Sequence, residues 1–108
     1  MVVGALKLTL HVADSGGLKP KRKVARSILD RVKARFNASV AEVGSNDLWQ
    51  RLELGFCVCG NEIAQVDDQM RNIRRFVESL ILAEVVDARL EIINLKDMPW
   101  LVQTNGAE

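Results

Sequence analysis

The order in which this chain changes its hydrophobic period leaves few folds open to it. Residues 2–12, VVGALKLTLHV, alternate: Leu6, Leu8, Leu10 and Val12 point one way, Lys7, Thr9 and His11 the other, as in a half-buried strand. After the turn-forming run Asp14-Ser15-Gly16-Gly17, the period lengthens. Val24, Ala25, Ile28, Leu29, Val32 and Phe36 fall on one side of a helix that runs from Leu18 to near Asn37. Pro20 suits its first turn, where a missing N–H costs nothing. A short strand is expected over 38–43, with Ala41 and Val43 inward and Val40 and Glu42 outward. Gly44-Ser45-Asn46-Asp47 then reverses the chain into a third strand, Leu48 to Cys59, whose inner face is Leu52, Leu54, Phe56 and Val58. Asn61 is expected to cap a second helix carrying Ile63, Val66, Met70, Ile73, Val77 and Leu80 and ending between Ser79 and Glu84. A fourth strand over 85–95 sets Val86, Ala88, Leu90 and Ile92 against Asp87, Arg89 and Glu91.

The order is therefore β-α-β-β-α-β. Each helix has one apolar stripe and each strand one apolar face, so two layers suffice: both helices on one side of a four-stranded antiparallel sheet. Right-handed crossovers then fix the strand order 4-1-3-2, the ferredoxin-like α+β sandwich. One domain over 1–96 is expected, with a C-terminal tail, 97–108, of which only Pro99-Trp100-Leu101 should pack. A chain of 108 residues that is 48% hydrophobic and 27% charged can bury such a core.

The charge is distributed unevenly. Between Leu18 and Phe36 lie eight of the fifteen basic residues and a single acid, Asp30, so this stretch is +7 in a chain of net +1 and the remainder is acidic. Lys19, Lys21, Arg22 and Lys23 all fall near the helix start, where the macrodipole favours anions by roughly 0.3–1 kcal/mol per charge. Stability alone does not select that pattern. It points to an anion partner held by the Ser15-Gly16-Gly17 turn with Lys19, Lys21, Arg22, Lys23, Arg26 and Lys33. Reversing Lys21, Arg22 and Lys23 to glutamate is expected to leave the fold intact. The GxxxxGK[ST] phosphate loop is absent, so nucleotide hydrolysis has no support.

Other candidates are weaker. Trp49, beside Gln50 and Arg51, is read as a half-buried residue closing the end of the core, with partner contact or base stacking as the alternative. Cys57 and Cys59, two apart on one strand face, are expected to be free thiols; with His11 they supply three soft donors and no fourth, so no metal is expected. The outward row Lys7, Thr9, His11, Arg51, Glu53, Arg89 and Glu91 offers no aromatic platform for bases. No nucleophile with a base, and no paired carboxylates in a pocket, can be assembled, so no enzyme and no cofactor are expected. The opening run MVVGALKLTL lacks a basic n-region and is broken by Lys7, and no apolar run nears the roughly 20 residues of a membrane helix, which points to the cytoplasm.

Three ordered stretches, Leu18-Lys19-Pro20-Lys21-Arg22, Phe36-Asn37-Ala38-Ser39-Val40-Ala41-Glu42-Val43, and Asp47-Leu48-Trp49-Gln50-Arg51 through Leu54-Gly55, resemble the YlxP-like family of small bacterial proteins. The resemblance spans about residues 2–95, with departures at Gly17, Pro20 and the two cysteines. It implies a ferredoxin-like fold and, through the family's gene neighbourhood with translation and ribosome-maturation factors, an RNA-related setting. It implies no catalytic residues. The expected function is thus a non-enzymatic RNA- or ribosome-associated module whose basic helix meets phosphates. The rival is a dimeric interaction or regulatory module, pairing through its sheet and able to take a small anionic metabolite.

Overall fold

In the computed structural model, residues 1–13 and 16–96 are described; Asp14, Ser15 and the expected packing of Pro99-Trp100-Leu101 lie outside them. Strand β1 (Val2–His11) leads to helix α1 (Leu18–Arg35), a hairpin of β2 (Ser39–Gly44) and β3 (Arg51–Gly60), helix α2 (Ile63–Leu80) and strand β4 (Glu84–Asn94). The sheet order is β2-β3-β1-β4, which is 4-1-3-2 read from the other edge. β1 is antiparallel to both β3 and β4, facing Leu6 to Phe56 on one side and to Leu90 on the other. This is the ferredoxin-like sandwich, reached because each alternating run turns one face toward the helices, fully buried in β1 and β3 and half-buried in β2 and β4.

That face meets the two helical stripes. Leu6, Leu8 and Leu10 of β1 and Leu52, Leu54, Phe56 and Val58 of β3 are buried against Ala25, Ile28 and Val32 of α1 and Val66, Met70, Ile73 and Val77 of α2. Gly4 marks the closest approach: a Cβ there would stand 2.7 Å from Val66 Cγ1 and 2.9 Å from Met70 Cγ, so α2 can lie directly on β1. At the other end of the helices, Phe36 and Phe76 meet edge to face at 5.7 Å, and the Arg35 guanidinium lies 4.7 Å from the centre of the Phe76 ring.

Several local expectations are corrected. In β2, Val40 and Glu42 turn toward the helices while Ala41 and Val43 are exposed, because Glu42 sits near an inward-pointing lysine and Val43 is the extra residue of a bulge between Glu42 and Gly44. A second bulge, where Leu10 faces Val85 and Thr9 faces Asp87, pushes Val86 outward and gives its inner place to Val85. β3 begins at Arg51 rather than Leu48, so residues 45–50 form a loop. Helix α2 starts after Glu62, not Asn61, without a side-chain cap, and leaves Ile63 exposed. It stops at Ile81, whose backbone adopts φ 53°, ψ 32° although its side chain is β-branched.

Candidate nucleic-acid interface

The amino-terminal half of α1 divides its cations by direction. Lys21 is 1% exposed and turned into the protein, where its Nζ donates to the carbonyl oxygens of Ser45 at 2.6 Å and Asn46 at 3.2 Å, with Glu42 Oε1 at 3.8 Å. Burying an ammonium requires such partners, because unpaired it would lose its hydration for nothing. Lys21 is therefore not available to a phosphate, and it leaves the set of anion contacts expected from the sequence. Its position three residues before the inward Val24 and four before Ala25 is the periodicity signal that places it on the buried face.

Lys19, Arg22, Lys23, Arg26 and Lys33 are all exposed. Lys19, Arg22, Lys23 and Arg26, with Ser27 and Asp30, line a shallow groove of about 430 Å³ on the outer face of α1. Among the described residues, no carboxylate oxygen comes within 4.0 Å of any of these five cations; the ion pairs of the molecule lie elsewhere. Helix α2 shows the contrast. Its Arg71 pairs with Asp67 at 2.9 Å and Arg74 with Glu78 at 3.5 Å, one turn apart. Gly17 stands at the N-cap with φ 147°, a conformation that favours glycine; Gly16 is exposed beside it, and Ser15 lies outside the described residues.

Lys21's two carbonyl partners belong to the hairpin loop, so the loop is tied to the start of α1. The loop's turn is closed by Leu48 N–H to Ser45 O at 3.1 Å, and Gln50 O accepts from Val12 N–H at 2.9 Å. Between these points Leu48 is 52% and Trp49 56% exposed. Trp49 does not close the core; the late start of β3 leaves it on the loop. Gln50 and Arg51 are exposed beside it.

The loop's other anchor is Glu53, missed by sequence reasoning. Its carboxylate accepts from Ser45 Oγ at 2.5 Å and from Lys7 Nζ at 3.4 Å, with Arg51 Nη2 at 3.9 Å. The Ser45 hydrogen bond, helped by Lys7 and Arg51 and opposed by partial burial, holds this carboxyl below the usual glutamate range. Alternation had marked Glu53 only as one of an outward row; nothing in that pattern shows that Ser45, in the left-handed region at φ 56°, swings its hydroxyl onto it.

On the sheet face away from the helices, Ala5, Val43, Gly55 and Cys57 surround an apolar depression of about 310 Å³ rimmed by Lys7, Arg89 and Glu91. Val43 lies over Gly55, where an added Cβ would meet Val43 Cγ1 at 2.7 Å. Cys57 and Cys59 are free and exposed on this face. They face Ala5 and Val3, whereas His11 faces Arg51, six positions along β1 from Ala5 and about 20 Å away at 3.3 Å per residue. The three soft donors are not brought together, and no group of three metal-binding side chains occurs among the described residues. No helix among the described residues is long and apolar enough to cross a membrane.

A family model described as "Protein of unknown function (DUF503)" matches residues 3–90. The uncharacterized protein YlxP of Bacillus subtilis (strain 168) is 31% identical over 90 residues, which cover 83% of this chain and 98% of that relative. Among solved structures, the de novo designed protein Foldit4 superposes with a TM-score of 0.53 at 13% identity, covering 88% of this chain and 98% of that one. A crystal structure of an antibiotic biosynthesis monooxygenase gives a TM-score of 0.46 at 8% identity, over 90% and 100%. The structural likenesses concern the fold alone.

Proposed function

The chain belongs to the DUF503 family of proteins of unknown function, and because that membership brings no activity with it, we propose from the surface chemistry that the protein binds RNA through the outer face of α1. One observation carries the reading: Lys19, Arg22, Lys23, Arg26 and Lys33 are exposed on one helix with no carboxylate of the described residues within 4.0 Å, in a molecule that pairs two of the three arginines of its other helix with carboxylates. An unneutralised row of cations costs self-repulsion and gains attraction for a polyanion such as a phosphate backbone. With a net charge of only +1 the whole molecule is not attracted, so binding would be confined to this face and a ribosomal particle or structured RNA would be met in one orientation.

The activity is binding rather than turnover. What supports this is the placement of the sole histidine: His11 faces Arg51 on one side and Glu84 on the other and borders an open hollow with Ala13, Glu78, Ile81 and Leu82, in which the described residues supply no serine, threonine or cysteine to act as nucleophile.

The test is RNA or ribosomal-subunit binding across a salt series. Three to five phosphate contacts fit one helical face, which gives a log–log slope of about −2 to −4 at roughly −0.7 per contact for a single strand. The double reversal Arg22→Glu/Lys23→Glu should weaken binding strongly and flatten the slope by about 1.4. Affinity equal to wild type, or a signal indifferent to salt, removes the reading.

A second reading, a module that self-associates through its sheet, is favoured by the apolar depression over Ala5, Gly55 and Cys57. The two readings use opposite faces of the molecule and are compatible.

A further inference from the structure

We propose that the RNA taken by this protein is unpaired, with a base stacked on Trp49 at the hairpin loop while neighbouring phosphates meet Lys19, Arg22 and Lys23. The inference rests on the phosphate-binding reading above and adds a base-contacting residue and a substrate class to it.

The first support is exposure. Trp49 is 56% exposed, and Leu48 beside it 52%, although a tryptophan left in water forfeits the burial of a large apolar surface. The loop around it is not loose. Its start is held by the Ser45 and Asn46 carbonyls on Lys21 and by the Ser45 hydroxyl on Glu53, and its end by Gln50 O on Val12 N–H. A ring displayed on a pinned loop loses little further conformational freedom when a ligand stacks on it.

The second support is position. Lys21 ties the loop to the first turns of α1, from which Lys19, Arg22 and Lys23 leave in the outward direction. Trp49 is three residues past Asn46, at most about 10 Å of extended chain. Cations and ring therefore share one end of the molecule. A strand crossing that end meets charge for its backbone and a flat apolar surface for a base, the combination by which single strands are held.

The third is exclusion. Phe56 is buried and Phe36 and Phe76 are half-buried against each other, so among the described residues Trp49 is the one phenylalanine or tryptophan ring mostly in solvent. The open sheet face, where RNA-binding domains of this topology stack bases, carries Ala5, Gly55 and Cys57 instead. A duplex keeps its bases stacked on each other and offers nothing to Trp49.

The experiment uses the full chain with Trp100→Phe, which leaves Trp49 as its sole tryptophan. It is titrated with a twelve-nucleotide oligouridylate, an RNA duplex of the same length and inorganic polyphosphate. We expect oligouridylate to quench Trp49 emission and polyphosphate to bind without quenching. In the full chain, Trp49→Ala should weaken oligouridylate about 5- to 100-fold and leave polyphosphate within twofold, with Trp49→Phe recovering most of the loss. Because Trp49 is exposed, both variants should keep the wild-type thermal midpoint; if the alanine variant does not, the quenching and the phenylalanine variant decide. Oligouridylate affinity unaffected by Trp49→Ala, or an equal loss for polyphosphate, overturns the stacking and leaves the α1 reading standing. If wild type binds none of the three probes, both readings fall and Leu48 and Trp49 become the mark of a protein partner.

Discussion

Lys21 Nζ lies 2.6 Å from the carbonyl oxygen of Ser45, and this bond joins the first turns of α1 to the β2–β3 loop. It fixes the hairpin loop against the start of α1 and removes one cation from a surface otherwise lined with them. Truncating Lys21 leaves two carbonyls and the Glu42 carboxylate without their partner. Lys21→Met, which keeps most of the volume, is expected to destabilise the fold by about 2–4 kcal/mol. Lys21→Glu should cost more, so the triple reversal expected from sequence to be harmless would unfold the protein. Arg22→Glu and Lys23→Glu should change stability by less than about 0.5 kcal/mol, or raise it slightly through the helix dipole. Urea denaturation of the four single variants distinguishes the cases; equal stabilities would show that the Lys21 contacts are dispensable.

Glu53 makes the same loop sensitive to acid. Its folded pKa is held below its ordinary value of 4.5 by the Ser45 hydroxyl, Lys7 and Arg51, so between the two values the unfolded chain binds the extra proton and the folded chain does not. The contribution is thus present above about pH 4.5 and is lost as pH falls through the folded value. Glu53→Gln should lower stability at pH 7 and narrow its gap from wild type as the medium approaches pH 3. Thermal melts across that range check it; a gap that stays constant would mean that the carboxylate charge plays no part.

At the end of α2, Ile81 occupies the left-handed region with 87% of its surface in water. A β-branched residue there pays a steric cost of roughly 1–2 kcal/mol and gains no burial in return. Ile81→Gly removes the strain, loses part of the gain to the greater freedom of glycine in the unfolded chain, and should stabilise by about 0.5–1 kcal/mol. A rise of a few degrees in the thermal midpoint would be seen. A fall would place Ile81 in a contact that its exposure does not reveal.

The topology was legible because periodicity reports burial directly, and each buried face here is continuous: Leu6, Leu8 and Leu10 alternate without interruption, and so do Leu52, Leu54, Phe56 and Val58. Where the ladder slips by one residue the same pattern misleads. The bulges at Val43 and Val86 each put a valine into solvent, and no local composition announces them. The outward cations of α1 were legible from angle alone, and so in principle was Lys21, which shares the angle of Ala25, Ile28 and Val32. Its charge argued for the surface; what overrode the charge was a pair of carbonyls 24 and 25 residues away in sequence. Trp49 was misplaced because the turn was taken to be two residues shorter than the loop that formed.

The open sheet face yields the last prediction. Three strands of ten or eleven residues and one of six, at about 3.3 Å per residue and 4.8 Å between strands, present roughly 600 Å². Two such faces would bury about 1,200 Å², the lower end of stable interfaces. The centre is apolar, around Ala5, Gly55 and Cys57, and the rim carries Arg89 and Glu91, so a two-fold axis can set each copy's Arg89 against the other's Glu91. The Asp87 carboxylate, 3.3 Å from Arg89 Nε within one copy, holds the guanidinium at that rim. A weak dimer in the micromolar range is expected by light scattering, against 12.0 kDa for one chain. Cys57→Arg places a charge at the apolar centre and should abolish the dimer, Arg89→Glu should weaken it, and Arg22→Glu on the opposite layer should do neither. Alkylation of the Cys57 thiol should slow as the concentration passes the dissociation constant, since that sulfur would be covered. A chain that scatters as a monomer at every concentration, or a dimer indifferent to both Cys57→Arg and Arg89→Glu, would move any self-association to another surface.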